Sequence, residues 1–514
     1  GTGGLMGLRT SSSMLIGMII NFVLLAPWMI NRGDIVHRLS KSGEPLPFTR
    51  TDIVNQWSIW WGVGIMVVGS LVALFAKPKV IIDAFKGAFS RSSGGEDPVA
   101  HIELPLKVSF IGLPICAILT AWMALLVDPD LARGVLQTLA RFQGTEVDPR
   151  HEEEPGRILH EMRFGEAASL SLGGGSIYYG TADATPLFVM LLGELRRWGV
   201  ARDLVDELLP NAHRAMAWIE QFGDADGDGY VEYHRATDRG LANQGWKDSW
   251  DGIRYGDGRV AQAPIALAEV QAYTYGAYLA SAHFAFEVGD TATYDRYRMK
   301  AAHLKEAFNR DFWLEDRGWF AVGLDADKRP IDSLTSNIGH CLWTGIVDED
   351  KAGRVAEALL SPAMFSGWGV RTLASDSGGY NPISYHCGSV WPHDTAIVAA
   401  GLARYGFDAA AQTLIFGLLD AAASQGGRLP ELFSGLDRTE FEIPVGYPTS
   451  CSPQAWAAAS PLLCLRTLLR LDPWIPYGKI WLSPNLSEGI GHLKVEGIPL
   501  AGSRVTIEVG DHLP

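Results

Sequence analysis

Asp248 stands in the string GLANQGWKDSWDG (240–252), flanked by Trp246 and Trp250, and Glu431 stands in RLPELFSG (428–435), between Pro430 and Phe433. A carboxyl pressed against aromatic surface tends to keep its proton, whereas one in a wetter, hydrogen-bonded loop tends to lose it. One proton donor and one proton acceptor are what cleavage of a glycosidic bond requires. The two residues are far apart along the chain, so they can cooperate only if the chain closes on itself. By spacing alone Asp183, Glu232, Asp251 and Asp394 compete for either role.

Neighbouring strings carry compatible chemistry. YYGTADATP (178–186), SGWGVRTLA (366–374) and YNPISYHCGSVWPHD (380–394) interleave aromatic rings with short polar side chains. Rings cover the C–H faces of a pyranose, and small polar groups bond its hydroxyls. Trp246, Trp368 and Trp391, set in polar loops, read as pocket walls, and Trp218, Trp313 and Trp456, on helical faces, read as core. The acidic run Glu152–Glu154 continues into Arg157, His160 and Glu161 and reads as pocket rim. GDADGDGYVEY (223–233) begins like a calcium loop with Asp224, Asp226, Asp228 and Gly229, but Arg235 occupies the twelfth position, where a glutamate is required. A tight Asx–Gly turn is expected there. No metal or other cofactor is implied.

The elements that must bring these loops together are helices. Apolar residues recur at helical period over 129–143, 186–198, 203–222, 264–288, 291–311, 336–346, 349–360, 392–404, 407–424 and 453–470, with Pro186, Pro264, Pro392 and Pro453 near first-turn positions. Strand alternation is confined to the tail, at 478–483 and 491–508. Ten helices are two short of a closed layer of six hairpins.

Composition divides the 514-residue chain in two. Residues 1–127 hold 10 Lys and Arg against 7 Asp and Glu, leaving 33 against 51 for the remainder, so the overall net charge of −15 belongs to an acidic body. That sign disfavours nucleic acid as a partner. The five cysteines form no CxxC pair and indicate neither a disulfide framework nor a zinc site. Ser11–Ile30, Trp57–Ala76 and Val108–Val127 are uncharged apolar runs of twenty residues, each long enough for a bilayer core of roughly 30 Å. They predict three transmembrane-type helices, a lipid bilayer as partner through residues 11–127 and a membrane location, with the acidic body on the cytoplasmic side. The linking segments carry four and five basic residues and give no orientation. Val108–Val127, apolar all round, could alternatively pack as a surrogate helix of the acidic body.

GTEVDPRHEEEPGRILHE (144–161), YYGTADATPLF (178–188), NQGWKDSWD (243–251), YNPISYHCGSVWPHD (380–394) and RLPELFSG (428–435) resemble the bacterial glycogen-debranching-type amylo-α-1,6-glucosidases, within the clan of six-hairpin glycosidases. The resemblance covers about 128–500 and implies an (α/α)6 toroid, inversion of configuration, an oligosaccharide or small α-glycoside substrate and no cofactor. It implies Asp248 as general acid and Glu431 as general base. Tyr179, Asp183, Gln244, Trp246, Lys247, Trp391, His393 and Asp394 would line the subsite for the cleaved sugar, with Trp368 and His386 of the same loops beside them.

The stretches GLRTSSSMLIGMIINFVLLAPWMI and QWSIWWGVGIMVVGSLVALFAKP resemble the oligopeptide transporter family over about 1–126. The expected organisation is therefore a mainly α chain. Three transmembrane-type helices (1–127) precede a six-hairpin toroid lacking its first helices (128–475), and a small β-rich tail follows (476–514). Two other functional readings stay open: a barrel that binds carbohydrate without cleaving it, and a transport component with an appended barrel.

Overall fold

The computed structural model describes residues 26–32, 113–162, 177–487 and 490–510. The chain divides into two units, Gly1–Glu103 and Leu104–Pro514. In the first, a seven-residue helix, Ala26–Arg32, is described. The apolar runs Ser11–Ile30 and Trp57–Ala76 otherwise lie outside the described residues.

The second unit holds eleven α-helices among its described residues. In chain order they are α1 (Leu113–Ala124), α2 (Pro129–Arg141), α3 (Ala184–Arg197), α4 (Arg202–Trp218), α5 (Ala268–Glu287), α6 (Thr291–Asp311), α7 (Asn337–Thr344), α8 (Glu349–Leu359), α9 (Pro392–Arg404), α10 (Asp408–Ser424) and α11 (Ala455–Leu469). The odd-numbered helices form a closed inner ring, each packed on the next, with α11 returning to α1. The even-numbered ones lie outside, each against the inner helix that precedes it. Each of the ten segments expected from periodicity holds a helix, but α5 and α11 start at Ala268 and Ala455, after Pro264 and Pro453, and Ala266–Leu267 is a short strand.

The inner helices are apolar nearly all round because both faces are covered. On α3 every residue from Ala184 to Leu195 is buried, whereas the outer helix α6 buries five positions out of 21.

The third apolar run requires a correction. Its described helical part, Leu113–Ala124, closes the ring, with Ile115, Cys116, Ile118, Leu119, Ala121 and Met123 buried in the common core. Among the described residues no helix is long and apolar enough to cross a membrane. The expectation of three transmembrane-type helices is thereby corrected: the third run is an inner wall of the ring, so the ring does not lack its first one, and no described helix supports the bilayer partner or the membrane location. Backbone hydrogen bonds from Val127 and Asp128 to the Ala124 carbonyl, both 2.8 Å, end α1. Asp128 then caps α2 through the Asp130 N–H at 3.0 Å, and Pro129 takes the first position, where a missing N–H costs nothing.

Past the ring, His492–Leu500 and Ser503–Gly510 pair as an antiparallel hairpin. In the calcium-like loop, Asp224 accepts from the N–H groups of Gly227 (2.8 Å) and Gly229 (3.0 Å), the geometry of a turn. Lys328 Nζ lies 2.7 Å from Asp226, 2.6 Å from Asp228 and 2.9 Å from Glu232, so an ammonium answers the charge of the cluster.

Candidate active site

The inner helices begin at one mouth of the ring, and the loops singled out by their chemistry converge there. Asp183 precedes α3, Glu269 is the second residue of α5, His393 and Asp394 open α9, and Gln454 caps α11. Helix N-termini carry partial positive charge and favour carboxylates nearby.

The Asp248 loop is clamped on both sides of the acid. Lys247 Nζ donates to the Thr372 carbonyl at 2.6 Å, and Ser249 Oγ meets His386 Nδ1 at 2.8 Å. Beneath them Asn243 Nδ2 donates to the Ser249 carbonyl at 2.7 Å. Gln244 is held between Arg157 (3.0 Å) and Glu152 (2.5 Å), which places the acidic run behind this wall.

The Glu431 loop is stitched to the 380–394 loop by two backbone hydrogen bonds between Val390 and Phe433, of 2.9 and 3.0 Å. Gly435 is required there, since a Cβ would run into the Gly388 carbonyl oxygen. Arg371 ties the crossing down through the Gly435 carbonyl at 2.7 Å and Asp437 at 3.1 Å.

These stitches connect the two carboxyls. Ser249, next to Asp248, bonds His386; Tyr385, next to His386, donates its hydroxyl to Glu431 Oε1 at 2.8 Å. Tyr385 feels the charge of both carboxyls, and Asp248 feels that of Glu431. Their environments differ. Burial, and then the charges of Glu161, Asp183 and Glu431, push the Asp248 carboxyl well above the usual carboxylate range. His160 Nε2 lies 3.8 Å from it. Glu431 accepts from Tyr385, from the Cys451 N–H at 3.1 Å and from Gln454 Nε2 at 3.3 Å.

Around them is an aromatic lining. Trp246 meets His386, Trp391 and His393 edge-on at 5.6, 5.8 and 5.2 Å and lies parallel to His340 at 6.0 Å. Of the tryptophans that flank Asp248 in sequence, only Trp246 turns inward; Trp250 is 69% exposed. Burial, followed by the charge of Lys247, pushes His386 well below the usual imidazole value, and burial takes His393 down to about 3. His386 therefore accepts at Nδ1 from Ser249 and carries its proton on Nε2. The Nε2 of His386, both ring nitrogens of His393 and the indole N–H of Trp246 have no protein partner. Buried polar groups left so cost about 1–3 kcal/mol each unless a ligand or water meets them.

Asp183 accepts from Thr181 Oγ1, and burial raises its carboxyl to about 7. Burial also raises Glu269 to about 7, whereas it lowers Lys247 to about 8. Asp394 is paired with His340 Nε2 at 2.8 Å. Burial opposes its ionisation, but that hydrogen bond and the nearby cations hold it below the usual range.

Two expected lining residues stand apart from this cluster. The Tyr179 hydroxyl donates to the Phe142 carbonyl at 2.8 Å, behind the wall, and the Trp368 ring is covered by Arg438 at 4.3 Å. Sequence reasoning passed over Tyr385, Gln454, Glu269 and His340. Tyr385 lies inside a string already marked by its polar-aromatic texture, and the others open inner helices. Trp456, read as core, stacks on His393 at 3.7 Å.

The profile of the mannosylglycerate hydrolase MGH1-like glycoside hydrolase domain matches residues 117–434. No curated protein matches the sequence. An uncharacterized conserved protein from Thermus thermophilus superposes with a TM-score of 0.51 at 17% identity, over 68% of this chain and 92% of its own. A GH63 mannosylglycerate hydrolase from the same organism, solved in complex with glucose, gives 0.50 at 17% over the same shares. A sialidase gives 0.49 at 15% identity over 66% of this chain, which spans about a third (31%) of the sialidase's length.

Proposed function

The chain belongs to the mannosylglycerate hydrolase MGH1-like glycoside hydrolase family, and on that premise we propose that it hydrolyses α-glucosidic linkages with inversion, Asp248 acting as general acid and Glu431 as general base. One observation carries this reading: two carboxyls on loops that are hydrogen-bonded to the same Tyr385–His386 pair have different surroundings. Asp248, buried among other carboxyls, keeps a proton to give to the glycosidic oxygen. Glu431, met by three donors, takes a proton from water on the other face of the sugar.

Trp246, Trp391 and His386 offer ring faces and edges for the C–H surface of the glycone. Unpartnered N–H groups on Trp246 and His386 suit its hydroxyls. The solved mannosylglycerate hydrolase, crystallised with glucose, supports a pocket of glucosyl size. Asp183, Gln244, Lys247, His393 and Asp394 act mainly as the wall that holds these groups, with Tyr179 and Trp368 outside it.

The test is turnover of isomaltose, maltose and mannosylglycerate side by side, with the anomer of the first-formed sugar read by proton NMR. The expected result is preference for an α-glucoside and release of the β-anomer. Preference for mannosylglycerate removes the α-glucosidic assignment, and release of the α-anomer removes inversion.

A further inference from the structure

Glu431 has two oxygens, and its neighbours treat them unequally. Oε1 accepts from the Tyr385 hydroxyl at 2.8 Å and from Gln454 Nε2 at 3.3 Å; Oε2 accepts from the Cys451 N–H at 3.1 Å. A carboxylate oxygen offers two lone-pair directions. Oε1 has both engaged; Oε2 has the Cys451 N–H, and the one further donor to the carboxylate is the exposed Cys451 thiol, a weak donor that water displaces.

The Gln454 amide is itself fixed. Its Oε1 accepts from the Ala455 N–H at 2.8 Å and from the Cys116 thiol at 3.6 Å, so its NH2 must face Glu431. A flipped amide would set two donors against an N–H and an oxygen against a carboxylate. Cys116 belongs to α1, the apolar helix that closes the ring, and burial pushes its thiol up to about 11, so it stays a donor.

Resting on the assignment of Glu431 as general base, we propose that Tyr385, Gln454 and Cys116 are positioning residues: the first two saturate Oε1 of Glu431, the third locks the Gln454 amide, and Oε2 alone takes the proton of the attacking water.

The titratable groups that feel Glu431 are Asp248, Tyr385, Tyr447, Cys116 and Cys451. None is a cation, so the hydrogen bonds to Oε1 are the interactions that a substitution would change.

The experiment compares Tyr385→Phe, Gln454→Met, Cys116→Val and Cys116→Ser with wild type, using whichever substrate of the panel above is turned over fastest. Tyr385→Phe and Gln454→Met are expected to lower kcat about 10- to 100-fold with little change in KM. Both should move the acidic limb of kcat/KM to higher pH by about half a unit to one unit, because a carboxylate that loses a donor is protonated more easily. Cys116→Val should cost about two- to tenfold in kcat, with Cys116→Ser restoring it.

A limb that stays in place in both Tyr385→Phe and Gln454→Met overturns the proposal, since a merely structural defect lowers the rate without moving it. The carbon-13 titration of the Glu431 carboxyl, identified by its loss in Glu431→Gln, gives the same readout without substrate. Should Glu431→Gln remain active, it is the general-base assignment that fails. An inactive Glu431→Gln with unmoved limbs in the other variants defeats the positioning proposal alone.

Discussion

The two mouths of the ring are built from the same six inner helices and differ in how their polar groups are spent. At the mouth where the helices begin, Asp248, Glu431, Trp246, His386 and His393 gather, and several buried N–H groups find no protein partner. At the other mouth a hollow of about 700 Å³ is lined by helix C-termini and by Arg197, Arg404, Arg466, Arg470, Glu194 and Asp472. There the charges are spent on each other. Arg466 meets Glu194 at 2.5 Å, Arg197 meets Glu194 at 3.0 Å and also Asp472, and Arg470 meets Asp408 at 3.3 Å. Cations at helix C-termini offset the dipoles. The far hollow is thus occupied by charges that satisfy one another, and the mouth with unspent donors is the one to which the proposed function assigns the ligand.

The sharpest way to break this contrast is Asp248→Asn. Its turnover should fall about 10²- to 10⁴-fold while the thermal midpoint holds, because Asn mimics the protonated acid. Retained turnover would move the chemistry elsewhere. At the far mouth the effects should be reversed: Glu194→Gln takes the buried carboxylate from two half-buried guanidinium groups that keep Asp472 and should cost about 1–3 kcal/mol in a urea melt, with kcat per folded molecule unchanged.

Acidity separates the mouths too. Burial opposes the ionisation of Glu194, yet Arg466 and Arg197 pull its carboxyl down from 4.5 to about 2. Its folded value lies below its unfolded one, so its stabilisation is present above 4.5 and is lost as pH falls toward 2. The penalty of Glu194→Gln should shrink over that window.

Asp183 has the opposite sign. Burial raises it from 3.8 to about 7, so its contribution is complete below 3.8 and is lost as pH rises to about 7. Asp183→Asn should therefore gain on wild type between the two values in urea midpoints taken across that range. A constant difference would refute the raised value. The smallest effect is expected for the exposed Trp250: Trp250→Ala should stay within about 0.5 kcal/mol of wild type in stability. If the ring stacks on the part of the substrate beyond the cleaved bond, KM should rise a few-fold.

Helix positions were legible because most inner helices are apolar segments of a dozen residues or more, and the loops between them announced themselves by texture. The identity of α1 was not. An all-apolar helix buried between two inner neighbours and its own hairpin partner has the hydropathy of a membrane span, and composition cannot tell one apolar surrounding from another. The useful signal was the Asp128–Pro129 cap, which stops the helix and starts its outer partner.

Asp248 and Glu431 stood out by their strings and by a family resemblance, but the bonds that link their loops were not legible. Ser249 and His386 are separated by 137 positions and Tyr385 and Glu431 by 46, so no local pattern records either pairing. Tyr179 and Trp368 show the converse. Their residue types suited a sugar, yet a backbone carbonyl and an arginine had claims on them that spacing does not reveal.

The contact between α1 and α11 also sets the order in which the molecule can be made. Cys116 waits for Gln454, 338 positions later. At a ribosomal pace of about 5–20 residues per second, that is roughly 20–70 s during which the most apolar helix of the ring has been synthesised and its neighbour has not. Closure of the ring therefore cannot precede synthesis of α11, and the same contact delivers the Gln454 amide to Glu431.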